Sequence, residues 1–171
     1  ITWLVIVLLL GVSAFISGSE VAFFSLTPQD LKELEDEVEA ATNPRAERVL
    51  DLLKKPDTER APRQLLATIL ILNNLVNIFI ILISALAVER VFPAETLPNW
   101  MQWTIHVAGI TFILVLFGEV IPKVYATMNR QRLALVMARP LGWAQLVLWP
   151  VSRTLVKVGN WVDHRIDRPR E

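Results

Sequence analysis

Three long stretches without an Asp, Glu, Lys or Arg constrain this chain more than any other feature: residues 1–19, 64–88 and 96–118. Each is close to the ~20 residues a helix needs to cross a hydrocarbon core ~30 Å thick. Lipid offers the backbone no hydrogen-bonding partner, so a spanning segment must bond to itself, as a helix does. The expected fold is therefore an all-α membrane protein with three transmembrane helices. The 17 basic and 17 acidic residues, with a net charge of zero, crowd between and after these stretches. Such a balance gives nucleic acid no basic surface to hold. With no Cys, disulfide scaffolds, thiolate metal sites and cysteine nucleophiles are excluded. The first stretch has no basic residues ahead of it and no small-residue cleavage site behind it, so it reads as a span of a chain that begins inside a longer protein, not as a signal peptide.

The basic residues orient the spans. Residues 26–63 carry seven Lys and Arg, residues 89–100 carry only Arg90, and residues 123–171 carry nine. By the positive-inside rule the first loop and the C-terminus are cytoplasmic, whereas the N-terminus and the short second loop face out. Trp3, Trp100 and Trp103 then fall at outer ends, where amphipathic rings prefer to lie. The expected location is the cell membrane.

The long loop has the marks of a helical hairpin over residues 27–62. Thr27-Pro28 and Asn43-Pro44 each place a capping residue before a proline suited to the first helical position. Leu31, Leu34 and Val38 form one apolar stripe, Val49, Leu50 and Leu53 another, and Pro56 closes the second helix. Ten carboxylates lie between Asp30 and Glu59. Glu and Lys interleave there at helical spacing, which describes a solvated face rather than a metal-sensing surface. Residues 1–128 thus form the membrane domain. Residues 129–171 read as amphipathic juxtamembrane helices against membrane lipid, with Trp143, Trp149 and Trp161 in the interface, leading towards a cytosolic domain outside this sequence. The uncharged stretch 140–152 is too short to span.

Function resides in the polar groups the spans tolerate, because an ionisable or amide side chain in lipid costs free energy unless it is paired. Each span carries one cluster: Ser17-Gly18-Ser19-Glu20, Asn73-Asn74-Leu75-Val76-Asn77, and Gly118-Glu119-Val120-Ile121-Pro122-Lys123. Counted from Ser25, Arg63 and Tyr125 at ~1.5 Å per residue, Ser17 lies about 12 Å in, Asn73 about 15 Å, Asn77 about 21 Å and Glu119 about 9 Å. The three clusters are read as one level, towards the inner half of the bilayer, with Asn73 at the middle of a ~30 Å core and Asn77 somewhat past it. Asn73 and Asn77, four apart, share a helix face. Pro122 has no N–H for the carbonyl four residues back, which frees Gly118 C=O beside Glu119.

Ser17, Asn73, Asn77, Gly118 and Glu119 together offer oxygens, one negative charge, and neither sulfur nor imidazole. That donor set suits a hard cation, Mg²⁺ foremost, with Ca²⁺, Mn²⁺ or Na⁺ behind it. Each cluster taken alone has a plainer reading as helix packing, to which Ser, Gly and Asn contribute. A deep carboxylate without a cation would have to protonate, which favours the ion site. Glu20 and Lys123 are expected nearer the inner interface. His106 sits high in the third span as a packing or interfacial residue, and His164 is solvated. No zinc-protease helix motif or nucleophile elbow is present, so no enzyme is expected.

The runs Ser-Gly-Ser-Glu-Val-Ala-Phe-Phe-Ser-Leu (17–26), Leu-Leu-Ala-Thr-Ile-Leu-Ile-Leu-Asn-Asn-Leu-Val-Asn-Ile (65–78) and Phe-Gly-Glu-Val-Ile-Pro-Lys (117–123) resemble the transmembrane domain of the CorC and cyclin M family. Leu72 departs from it, standing where many relatives have Gly. The resemblance implies a homodimeric Mg²⁺ transporter, assigned to efflux and in some members to exchange with Na⁺, whose cytosolic CBS-domain pair binds ATP. It implies a largely dehydrated Mg²⁺ held by Ser17, Asn73, Asn77, Gly118 and Glu119. The rival expectations are a membrane Mg²⁺ sensor without net transport and an uncoupled Mg²⁺ channel.

Overall fold

The computed structural model describes residues 1–54, 60–91 and 98–156, and its regular structure there is entirely helical. Helix α1 (Thr2–Phe24) is followed by the hairpin α2 (Pro28–Glu39) and α3 (Pro44–Lys54), then by α4 (Arg60–Val91). A third rod runs through α5 (Asn99–Ile113), a π-helical segment (Leu114–Val120) and α6 (Ile121–Met128). Helices α7 (Arg130–Val147) and α8 (Trp149–Val156) complete the described chain. Pro56, Asp57, Glu59, Lys157, Trp161, His164, Arg165, Arg168 and Arg170 lie outside the described residues, as does the side chain of Arg90.

Among the described residues, three helical stretches are long and apolar enough to cross a membrane: Thr2–Phe24, Ala61–Ala87 and His106–Met128. The first two correspond to the expected spans. The third is displaced towards the C-terminus from the expected 96–118, because the charges at Glu119 and Lys123 do not end the helix. Asn77 donates to Glu119, and Lys123 pairs with Glu20, so both charges find partners on neighbouring helices. Helix α1 likewise continues past Ser19 and Glu20 to Phe24. Helices α7 and α8 meet with a bend of 82° near Leu148.

The hairpin begins with a closed capping box. Thr27 Oγ1 accepts from Asp30 N–H at 3.2 Å, while Thr27 N–H donates to the Asp30 carboxylate at 2.7 Å. Asn43 caps α3 through Arg45 N–H at 3.0 Å and ties back to Glu37 at 2.9 Å. Lys54 pairs with Glu35 across the two helices. Leu34, Val49 and Leu52 are buried, and Leu50 and Leu53 only partly. The α3 stripe is thus wider than the sequence pattern indicated, since α3 packs on both α2 and α7.

One apolar cluster joins the hairpin to the membrane bundle. Phe23 of α1, Leu34, Val49, Leu65 and Ile69 of α4, Ala126 of α6, and Ala134 and Met137 of α7 belong to it. It anchors the ends of all three spans on the hairpin side. Away from it the bundle exposes Leu4, Val7 and Leu8 on α1 and Ile78, Phe79 and Leu82 on α4. Apolar surface on that scale suits acyl chains, not water.

Candidate metal site

Where α1, α4 and the π-helical segment meet, four polar side chains face one another. Ser13 Oγ donates to Asn77 Oδ1 at 2.8 Å and lies 3.5 Å from Asn73 Oδ1. Asn77 Nδ2 donates to Glu119 Oε1 at 3.0 Å. A carboxylate only accepts, so its neighbour must be the amide N–H₂, which turns Asn77 Oδ1 towards Ser13. One hydroxyl proton serves one strong bond, so the 3.5 Å contact to Asn73 is the weaker. The result is a chain of contacts from α1 through α4 to the third rod.

Ser17 stands one turn along the same face of α1 and is fully buried, yet its hydroxyl has no hydrogen-bond partner. Hydroxyls in apolar helices ordinarily bond back to their own backbone. Ser19 does so to Phe15 C=O, Thr68 to Gln64 C=O and Thr127 to Lys123 C=O. A buried unsatisfied hydroxyl costs about 1–3 kcal/mol. Ser25, at the end of α1, shares that condition. Ser17 differs in lying beside a carboxylate-bearing cluster.

Gly118 is buried against α1, where a Cβ would come within 3.1 Å of Ser13 Oγ. Only glycine lets the π-helical backbone approach that hydroxyl without a shift. Gly18 has a packing role: a Cβ there would meet Leu133 at 3.0 Å and Pro122 C=O at 3.3 Å. The backbone around Gly118 departs from the expected α-helix with a proline gap. Ile121 N–H bonds to Leu116 C=O, five residues back. In that register the missing Pro122 N–H also falls opposite Phe117 C=O, in addition to Gly118 C=O in the α register. π-bulges of this kind recur at functional sites because they aim backbone groups sideways.

The profile of the cyclin M transmembrane N-terminal domain matches residues 4–167. The chain belongs to that family. It is 30% identical over 149 residues to a UPF0053 protein of Haemophilus influenzae, covering 87% of this chain and 32% of that protein. A chloroplastic DUF21 domain-containing protein of Arabidopsis thaliana is 30% identical over 153 residues, 89% of this chain and 21% of the relative. The UPF0053 inner membrane protein YfjD of Escherichia coli is 29% identical over 140 residues, 82% and 29% of the two chains. The chain spans about a third or less of the length of these relatives. Membership is consistent with an ion-related transport role for a multi-pass membrane domain.

In this cyclin M domain the structure brings Asn73, Asn77 and Glu119 together through Ser13, with Ser17 and Gly118 alongside. Ser13 is the residue that the sequence reading missed. Its signal was its spacing, four before Ser17 on one helix face. The depth count had separated Asn77 from Glu119, although they touch. Helix α4 already starts at Arg60, and its Leu65 and Ile69 share one cluster with Val49 of α3 and Met137 of α7, so counting from Arg63 overstates the depth of Asn77. The third rod runs to Met128, so counting from Tyr125 understates that of Glu119. Asn74 is exposed and bonds back to Leu70 C=O at 2.9 Å. His106 Nε2 contacts the buried Ser84 hydroxyl at 3.1 Å, tying α4 to α5 away from the cluster. Among the described residues no three His, Cys, Asp or Glu side chains converge. A cation here would therefore be held by neutral oxygens around one carboxylate.

Proposed function

We propose that this domain transports Mg²⁺ across the cell membrane through an oxygen site built from Ser17, Asn73, Asn77, Gly118 and Glu119, with Ser13 setting the amide of Asn77. The supporting observation is the Ser13–Asn77–Glu119 chain beside an unpartnered, buried Ser17 hydroxyl. Neutral oxygens with one carboxylate favour a hard cation over Zn²⁺ or Cu²⁺, which prefer nitrogen and sulfur. Family membership supports an ion-related role on independent grounds.

The chemistry follows from what each group can exchange. With Mg²⁺ at the cluster, the amide of Asn77 turns so that Oδ1 faces the ion, and Nδ2 then donates to Ser13. A hydroxyl accepts as readily as it donates, so Ser13 satisfies either orientation. Glu119 supplies the charge that offsets dehydration. The π-helical segment supplies carbonyls and the place at which the third rod can flex. In this reading the hairpin and α7 are cytoplasmic, the N-terminus is outside, and the working direction is efflux, with Na⁺ as the exchanged ion. The working unit is a homodimer of the longer protein, regulated through its cytosolic domain.

The test is Mg²⁺ flux in proteoliposomes carrying the purified chain, with and without an imposed Na⁺ gradient. Gradient-dependent, saturable flux is expected. Mg²⁺ binding without flux would establish a sensor instead, and flux indifferent to Na⁺ and saturating only at very high Mg²⁺ would establish a channel.

A further inference from the structure

The polar face of α1 does not end at Ser17. At 100° per residue, Ser13, Ser17 and Glu20 fall within about 60° of one another, a single stripe along the helix. On the third rod Glu119 and Lys123 are four apart and share a face in the same way. The two stripes meet twice. At the cluster, Ser13 approaches Gly118 and is linked to Glu119 through Asn77. One turn towards the hairpin, Lys123 Nζ lies 3.0 Å from Glu20 Oε2.

This second contact differs from two other ion pairs among the described residues. Lys54–Glu35 and Arg130–Asp30 fasten the hairpin, at the domain's aqueous edge. Glu20–Lys123 lies on the membrane spans, one turn from the cluster, with about a third of each side chain exposed. It lies between the buried oxygens of the cluster and the hairpin end of the spans, and is only partly covered. Beside the stripe, α1 and the third rod approach closely, since a Cβ at Gly18 would come within 3.3 Å of Pro122 C=O.

We propose that Glu20 and Lys123 form a charge gate at the hairpin-side end of the stripe, where a hydrated divalent cation displaces Lys123 from Glu20 before reaching Glu119. Glu20 is a transit contact, distinct from the ligands of the cluster. Lys123 competes with the cation for Glu20 and closes the stripe again after the ion has passed. The proposal rests on the hard-cation reading of the cluster and adds the route by which the ion arrives.

The test compares Glu20→Gln, Lys123→Met and the double variant in proteoliposomes, measuring Mg²⁺ flux at sub-saturating Mg²⁺ and the melting temperature of each preparation without Mg²⁺. A partly exposed ion pair sets the scale at about 1.5- to 5-fold in rate. Flux should fall in Glu20→Gln, rise in Lys123→Met, and stay low in the double variant, which keeps the net charge of the parent but has no carboxylate to receive the ion. Equal losses in both single variants, following their melting temperatures, would make the pair a structural clasp and overturn the gate. Recovery of parental flux in the double variant would overturn it too, by reducing the effect to the local field. An unaltered chain that neither binds nor moves Mg²⁺ would instead overturn the transport reading itself.

Discussion

Replacing Gly118 by Ala tests whether the close approach of the π-helical segment to α1 serves the site. The new Cβ would lie 3.1 Å from Ser13 Oγ, 3.6 Å from Ser13 Cβ and 3.7 Å from Leu10 Cδ1. Only the first contact is tight, and a shift of a few tenths of an ångström relieves it. That shift draws Ser13 away from Asn77, whose 2.8 Å bond it holds. Loss of one such bond costs about 0.5–1.5 kcal/mol. Ala in place of Gly in a helix interior returns about 1 kcal/mol. The melting temperature without Mg²⁺ should therefore hardly move. Mg²⁺ affinity carries the loss without that compensation, because an untethered amide must be ordered when the ion binds. A cost of ~0.5–1.5 kcal/mol corresponds to a roughly 2- to 12-fold weaker Kd. Titration calorimetry and thermal melts on the same preparations give both quantities. An unchanged Kd would show that the Ser13–Asn77 bond does not prepare the site. A large drop in stability without Mg²⁺ would show that Gly118 serves packing alone.

Two further predictions concern the amides and the hairpin. Asn77→Ala removes the centre of the contact chain and leaves Glu119 without its donor, so Mg²⁺ affinity should fall tenfold or more, about 1.4 kcal/mol. Asn73→Ala should weaken it less, and Asn74→Ala, on the exposed face, should change stability by no more than ~0.5 kcal/mol. Equal losses at all three would point to general helix packing. Asp30 is held below the usual carboxylate value of 3.8, chiefly by the Thr27 hydroxyl and further by the Thr27 N–H and Arg130, against the opposing effect of burial. Its folded-state pKa is depressed, so its contribution to stability is present above the unfolded value and fades as pH falls through the folded one. The melting-temperature difference between the parent and Asp30→Asn should accordingly be positive at neutral pH and shrink below 3.8, and a difference indifferent to pH would remove Asp30 from the account.

What could be read from the chain follows from which interactions are local. The spans were legible because ~20 residues without charge leave few alternatives to a membrane helix. The hairpin was legible because Thr27 and Asn43 act on backbone only two or three residues away. Asn77 and Glu119 were legible as costly groups in lipid. Ser13 was not, because its spacing of four from Ser17 suits helix packing as well as a site until α4 is seen beside it. Nor was the π register: the apolar run of residues 114–117 suits either hydrogen-bonding pattern, and Pro122 marks only where the ladder is interrupted. The pairing of Glu20 with Lys123 joins residues from different helices, and no local signal in either segment names the other. The same pairing explains why the third span outruns the charge-free stretch used to delimit it.

Mg²⁺ binding to the purified chain, compared between the parent and Glu119→Gln, decides whether the cluster holds the ion. The variant keeps the side-chain shape and removes the negative charge at the cluster. Asn77 then faces a neutral amide, to which it can still donate, so the fold and the melting temperature without Mg²⁺ should persist. In the parent, Mg²⁺ should bind saturably and raise the melting temperature with concentration, by the linkage that governs any ligand of the folded state. In Glu119→Gln both signals should vanish. Parental affinity in that variant would show that the ion, if bound at all, is held elsewhere, and would contradict the oxygen site at the meeting of α1, α4 and the π-helical segment.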